Sequence, residues 1–257
     1  MPFTLGIVEV PVANVSSLAA GQRSPAERTF GCKPLLEWVV RRVTDSLLLE
    51  QVVILVDPAQ SELIRQLAPP DVPIAVEQGP DPLARFVATI RRYDAEEVVR
   101  VRLSSPFVDP QLIDRLVGTA RSHPGIDYAG YAAYHGGPAV LAQLGLFAEW
   151  CRGQALERAD REARIAADRN DVTRYLCAHP ELFRLRLVPV PPQLDRDDLR
   201  LTVRSEEDWE HAQIIFEALG SEALEWQRIA ELLDQQPTLR QRMAVLNRVD
   251  RSRDSDD

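Results

Sequence analysis

No stretch of about 18 apolar residues occurs in this sequence, so no helix of the chain is expected to cross a membrane. The opening MPFTLGIVEVPV has neither a basic region nor a small-residue cleavage site, so no secretory signal is read there and a cytoplasmic location is expected. Cysteine is scarce: Cys32, Cys151 and Cys177 are odd in number and widely spaced. That pattern suits neither a disulfide framework nor a zinc site, and reads as reduced thiols. The histidines His123, His135, His179 and His211 also lack ligand spacing and read as surface or capping residues. No Gly-x-x-x-x-Gly-Lys-Ser/Thr phosphate loop, Gly-x-Gly-x-x-Gly turn, His-Glu-x-x-His pair or Gly-x-Ser-x-Gly elbow is present. The piece YHGGP (134–138) has no nucleophile to serve and reads as a turn. The net charge of −9 is spread over interspersed acids and bases, so a nucleic-acid partner is not expected.

What is present is a 257-residue chain with 45% apolar residues, enough for a substantial core. TLGIVEV (4–10) reads as a first strand, followed by an irregular stretch to Lys33. PLLEWVVRRVTDSLL (34–48) has helical spacing and opens on Pro34, and QVVILVD (51–57) is a β-branched run suited to a strand buried on both faces. SELIRQL reads as a helix, VPIAVE as a strand, 81–93 as a helix, 97–103 as a strand and 109–123 as a helix. This alternation predicts a parallel sheet with helices on both sides.

Beyond residue 125 the pattern loosens. IDYAGY, PAVLAQ, FRLRLVPV and LRLTV read as strands, and GLFAEWCRGQALERADREARIAA as mostly helical with a solvated, charge-paired face. NDVTRYLCAHP reads as one capped helix and SEEDWEHAQIIFEAL as a helix with acids in its first turn. Residues 221–248 predict two helices split near QQPTL, and 249–257 an unstructured charged tail. The expected organisation is therefore an α/β domain over 1–220, a helical extension over 221–248 and the tail.

Several pieces, in order, resemble the cytidylyltransferase family that makes CMP- or CDP-activated sugars, in its spore-coat polysaccharide branch. They are GCKPLLEWVVRRV (31–43), EQGPDPLARF (77–86), VVRVRLSSPFVDPQLID (98–114), IDYAGY (126–131), RNDVTRYL (169–176) and LRLTVRSEEDWEHAQIIFEAL (199–219). The closing AELLDQQPTLRQRMAVLNR resembles that branch's helical extension. The resemblance implies a Rossmann-like nucleotide-diphospho-sugar transferase fold, mainly parallel but mixed, with a C-terminal helical appendage. It also implies CTP and Mg²⁺ as ligands, attack on the α-phosphate and release of pyrophosphate. Such chemistry needs a basic glycine-containing loop after the first strand and acids at strand ends for the metal.

The chain departs from the family at those places. The family loop runs Pro-Ala-Arg-x-Gly-Ser-x-Arg-Leu-Pro-Gly-Lys; here PVANVSSLAAGQR places Asn14 near the expected Arg, with Arg23 and Arg28 as the nearest bases. The family's Arg-x-Thr-x-Asp-x-Pro, aligned on Pro106, puts its metal-binding Asp on Ser104 and its Thr on Arg102. A second acid falls on Arg204, at the end of LRLTV, and a third on or near Ala139. A serine brings no charge to Mg²⁺ and an arginine repels it, so the resemblance implies a degenerate site with no certain cofactor, Mg²⁺ entering only if activity persists. Arg102 and Arg204 would instead offer phosphate-binding forks.

Other ligand candidates implied by the match are Ser16, Ser17, Ser105, Asp81 and Arg85 of PDPLAR, and Arg169 and Thr173 of RNDVT. Asp81 and Arg85 read equally as a helix cap and a surface ion pair. The expected partner is a nucleotide or sugar nucleotide. Two other readings stay open: an active enzyme using Asp195, Asp197 and Asp198, and a structural subunit assembling through Trp226, Ile229, Leu232 and Leu233. For that last stripe, packing within the chain is the favoured reading.

Overall fold

The computed structural model describes residues 2–12, 24–133 and 144–254. The predicted alternation forms. β1 (Thr4–Glu9), β4 (Gln51–Val56), β5 (Ile74–Val76) and β6 (Glu97–Arg102) run parallel, linked through α1 (Leu35–Thr44), α2 (Ser61–Leu67) and α3 (Pro82–Tyr93). A two-residue hairpin, β2 (Thr29–Phe30) with β3 (Lys33–Pro34), precedes α1. After α4 (Pro110–Ser122), the sheet is completed by β7 (Tyr128–Ala132), β8 (Glu149–Arg152) and β9 (Leu185–Pro189). The order is β5-β4-β1-β6-β8-β7-β9, and β8 alone runs against its neighbours.

Strands buried on both faces explain the continuous apolar runs. One face carries Val8, Ile54, Val99 and Val101 against α1 and α4. The other carries Leu5, Ile7, Val53, Leu55 and Val98 against α3 and against Ala155, Leu156 and Ala159 of α5 (Gly153–Glu162). Prolines open α3 and α4 where Asp81 and Asp109 accept the first free amides, as the two Asp-Pro pairs predict.

Four expectations are corrected. The helical reading of residues 145–167 holds only from Gly153 onward, because Glu149–Arg152 forms the antiparallel strand β8 ahead of α5. Its Trp150 and Cys151 alternate between the two cores, a pattern too short to stand out beside ten helical residues. No strand forms over LRLTV: none of its residues joins the sheet, and its Val203 amide donates to the Ser104 carbonyl at 2.8 Å. NDVTRYLCAHP is broken into the end of α6 (Ala166–Asn170) and α7 (Arg174–Ala178) by an extended Asp171. The charged tail begins later than expected, since the last helix continues to Asp254. PAVLAQ and YHGGP lie outside the described residues.

After α8 (Glu206–Leu219), helices α9 (Trp226–Asp234) and α10 (Pro237–Asp254) pack onto the sheet's first core through Ile229, Leu233, Leu239 and Met243. Trp226 and Leu232 lie against the same core, so the apolar stripe faces inward, as the intramolecular reading expects. Among the described residues, no helix is long and apolar enough to cross a membrane.

Candidate functional site

The carboxyl ends of parallel strands are where α/β folds collect ligand chemistry. Here the ends of β1 and β6, the start of β8 and the break between α6 and α7 meet around one guanidinium. Arg100 is 5% exposed. Its Nε donates to Glu9 at 2.8 Å, and one Nη donates to Asp171 at 2.8 Å, Glu149 at 3.2 Å and Thr173 Oγ1 at 3.3 Å. Two residues on, and therefore on the same strand face, Arg102 donates to Asp171 at 3.0 Å. Buried Glu149 also accepts from the Thr173 hydroxyl at 2.7 Å and the Tyr128 hydroxyl at 3.0 Å. Three carboxylates thus share two arginines.

Low dielectric amplifies both the attraction and the cost of any missing partner. Burial works against the charged form of Arg100, but Glu9, Glu149 and Asp171 outweigh it and hold its pKa well above the usual value. Burial also pushes the Asp171 carboxyl up, yet Arg100 and Arg102 hold it well below the usual carboxylate range. The Tyr128 phenol is pushed well up by burial and by Glu149. The same two causes raise the Cys151 thiol well above its ordinary value and the Cys177 thiol to about 12, so both remain protonated at neutral pH.

Because Asp171 has a lower pKa folded than unfolded, its contribution is present above about pH 4 and is lost as pH falls toward the folded value. Asp171→Asn is therefore expected to flatten the loss of stability below about pH 4, read by urea unfolding at pH 7 and pH 3.5. An unchanged acid limb would show that other carboxylates dominate it.

The structure joins several of the predicted positions and separates others. Asp81 caps α3 and accepts from Arg169 at 2.6 Å, and Arg169 also reaches Asp160 at 2.7 Å. The PDPLAR and RNDVT pieces are thus clamped to each other, steadying the break that presents Asp171 and Thr173. Arg85 is buried and pairs with Asp57 at 3.2 Å, so the expected surface ion pair is an interior one. Arg28 lies over Trp209 and pairs with Glu206 on α8.

In the turn after β6, the Ser105 amide donates to the Arg102 carbonyl at 3.0 Å, and the Trp38 indole holds the Pro106 carbonyl at 2.8 Å. Asp109, in the same turn, is spent on α4 and on the Trp226 amide of α9. Arg204 follows directly on Val203 beside Ser104, but its side chain is exposed and forms no ion pair among the described residues. Arg102 turns to Asp171, so the structure does not bring the two guanidiniums together in one ion-pair network.

Ser16, Ser17, Arg23 and Ala139 lie outside the described residues. Asp198 is held by Arg196 and Arg240, leaving it committed to α10 rather than to a metal. Among the described residues no three Asp, Glu, His or Cys converge as a metal-binding group. The acids that do approach one another have Arg100 between them. Among the described residues, these arginine-paired acids do not fit a two-carboxylate Mg²⁺ site.

Glu9, Arg100, Tyr128 and Glu149 escaped the sequence reading. The alternation of Arg100 and Arg102 inside a valine-rich run was their one visible trace, since a buried strand carries charge only where partners meet it.

A mixed sheet of this order, with helices on both faces, defines a Rossmann-like α/β fold. Residues 21–200 match the MobA-like NTP transferase domain, and the chain belongs to that family. The chain is 30% identical over 139 residues to the spore coat polysaccharide biosynthesis protein SpsF of Bacillus subtilis, a match spanning 54% of each chain, or about half of that relative's length. A cytidylyltransferase from Leptospira borgpetersenii superposes with a TM-score of 0.73 at 18% identity, covering 92% of this chain and 95% of that one. A CMP:2-keto-3-deoxy-manno-octonic acid synthetase complexed with CTP gives 0.59 at 11% identity, covering 84% and 98%. The resemblance to cytidylyltransferases read from the sequence is borne out.

Proposed function

We propose that this chain is a nucleotidyltransferase-like protein of activated-sugar and surface-polysaccharide biosynthesis that has lost ordinary Mg²⁺-dependent transfer. A cytoplasmic location and a nucleotide or sugar-nucleotide ligand are part of the proposal. One observation carries it. Where two metal-binding acids are expected, the backbones of Ser104 and Val203 lie 2.8 Å apart, O to N, with a serine on one side and Arg204 next in chain on the other. In sequence, the stretches 13–23 and 134–143 contain no Asp or Glu. The family membership and the CTP-bound neighbour support the ligand class.

Thermal-shift titration with CTP, other NTPs and CMP-sugars, each with Mg²⁺ and with EDTA, tests this. A ligand at a hundred times its Kd adds about 2.7 kcal/mol to the folded state, a shift of roughly 5–10 °C for a chain this size. The expected result is stabilisation that survives EDTA, with no pyrophosphate released. Stabilisation abolished by EDTA, or pyrophosphate release, would show an active enzyme instead; no shift with any nucleotide would remove the ligand and leave a structural subunit. The paired change Ser104→Asp with Arg204→Asp is expected to make the CTP shift Mg²⁺-dependent, because it sets two carboxylates on adjacent backbones.

A further inference from the structure

His211 was expected at the surface or at a cap, and the structure contradicts this. It lies on the inner face of α8, 1% exposed, and among the described residues neither ring nitrogen has a hydrogen-bond partner. A neutral imidazole always carries one N–H, so the folded chain already tolerates one unpaired donor there; protonation would create a second and bury a charge. The other two described histidines differ: His123 and His179 each place Nδ1 within 2.9 Å of a carbonyl four residues back.

The charged groups around His211 are Asp208 and Glu210 on its own helix, Arg242 on α10 and Arg200 in the extended segment before α8. They are already paired among themselves. Arg200 grips Asp208 through two bonds of 2.5 and 3.1 Å and reaches Asp250 at 2.7 Å, while Arg242 bonds Glu210 at 2.9 Å. Among these groups, no carboxylate is left to meet an imidazolium without breaking one of these pairs.

The helix carrying His211 holds two segments in place, the stretch that runs beside Ser104 and the β2–β3 hairpin. Asp208 accepts from the amides of Arg204 and Ser205 at 3.0 Å each, fixing the segment that runs beside Ser104. On its other side, Trp209 and Phe216 stack on Phe30 at centroid distances of 4.6 and 5.1 Å, seating the β2–β3 hairpin. We infer that His211 is a pH-sensitive latch whose protonation loosens the docking of α8 and with it both the 199–204 segment beside Ser104 and the β2–β3 hairpin.

The sign follows from linkage. Burial, the largest cause, lowers the folded-state pKa of His211 below 6.5, so the opened chain takes up the proton first. Closure is therefore favoured above pH 6.5 and weakens as pH falls through that value.

Hydrogen exchange followed by mass spectrometry at pH 7.5 and 5.5, corrected for intrinsic exchange, tests this on the full chain. Peptides from 205–219 and 24–34 are expected to open several-fold more often at pH 5.5, with the α3 peptide unchanged. His211→Leu and His211→Gln, neither able to take up a proton there, should each abolish that pH dependence. The glutamine variant serves where leucine does not fold, and an NMR titration of the wild-type imidazole provides a reading with no substitution at all. Variants that keep the pH dependence, or a wild-type His211 titrating near 6.5 with no change in exchange, would overturn the inference. None of these readouts requires a nucleotide, so they stand apart from the proposed function.

Discussion

Arg100→Met is expected to lower the free energy of unfolding by about 3–5 kcal/mol, the usual cost of breaking a buried ion pair from one side. The substitution nearly conserves volume but removes the cation that Glu9, Glu149 and Asp171 all contact. Glu149 would keep two hydroxyl donors, Thr173 and Tyr128, and only a distant Arg102 at 3.8 Å. Its oxygens would stay solvated by dipoles, yet its charge would be uncompensated in a low-dielectric interior. Urea unfolding at pH 7.5 measures the loss. Adding Glu149→Gln should recover part of the loss, and the double-mutant cycle gives the coupling. A cost below about 1 kcal/mol would mean that packing alone holds the strand ends. Lysine should not substitute well for Arg100, since one ammonium cannot reach acids on three elements with a fork's geometry.

The second large effect is expected at a residue with no chemistry. Gly145 has φ +62°, and a Cβ there would stand 2.5 Å from the carbonyl carbon and oxygen of Leu201 and 2.6 Å from the Thr202 amide. These are backbone atoms of a segment that cannot slide freely. Val203 is tied to Ser104, and Arg200 is locked by Asp208. Gly145→Ala therefore adds the strain of a left-handed non-glycine residue, about 1–2 kcal/mol, to the displacement of a packed backbone, about 1–3 kcal/mol. Gly220→Ala is the control. Its φ is +73°, but nothing lies within 4 Å of the added Cβ, so only the conformational part should appear. Equal costs at the two positions in urea unfolding would show that the 199–204 segment yields easily. A much larger cost at Gly145 would confirm that this segment is pressed against the stretch that leads into β8.

The parallel half of the fold was legible because its strands are buried on both faces and must be apolar throughout, while Asp-Pro marks the helix starts. The antiparallel strand was not. Four residues, two of them charged, carry no periodicity, and Glu149 becomes tolerable only once Arg100 and Tyr128 are beside it. LRLTV misled for a related reason. Its leucines and valine are buried as a strand's would be, but so are Arg200 and Thr202, because Asp208, Asn247 and Asp250 come from distant helices to pair with the arginine.

By itself, the sequence determined the layered α/β architecture and the family, since these depend on local pattern and on order along the chain. Only the tertiary structure decided which charges meet. It drew Arg102 to Asp171 rather than beside Arg204, and joined Asp81 to Arg169 across 88 residues. It also enclosed His211 with no hydrogen-bond partner among the described residues. Charge compensation is a property of neighbours in space, and a buried charge reveals its reason only when elements far apart in sequence have been packed around it.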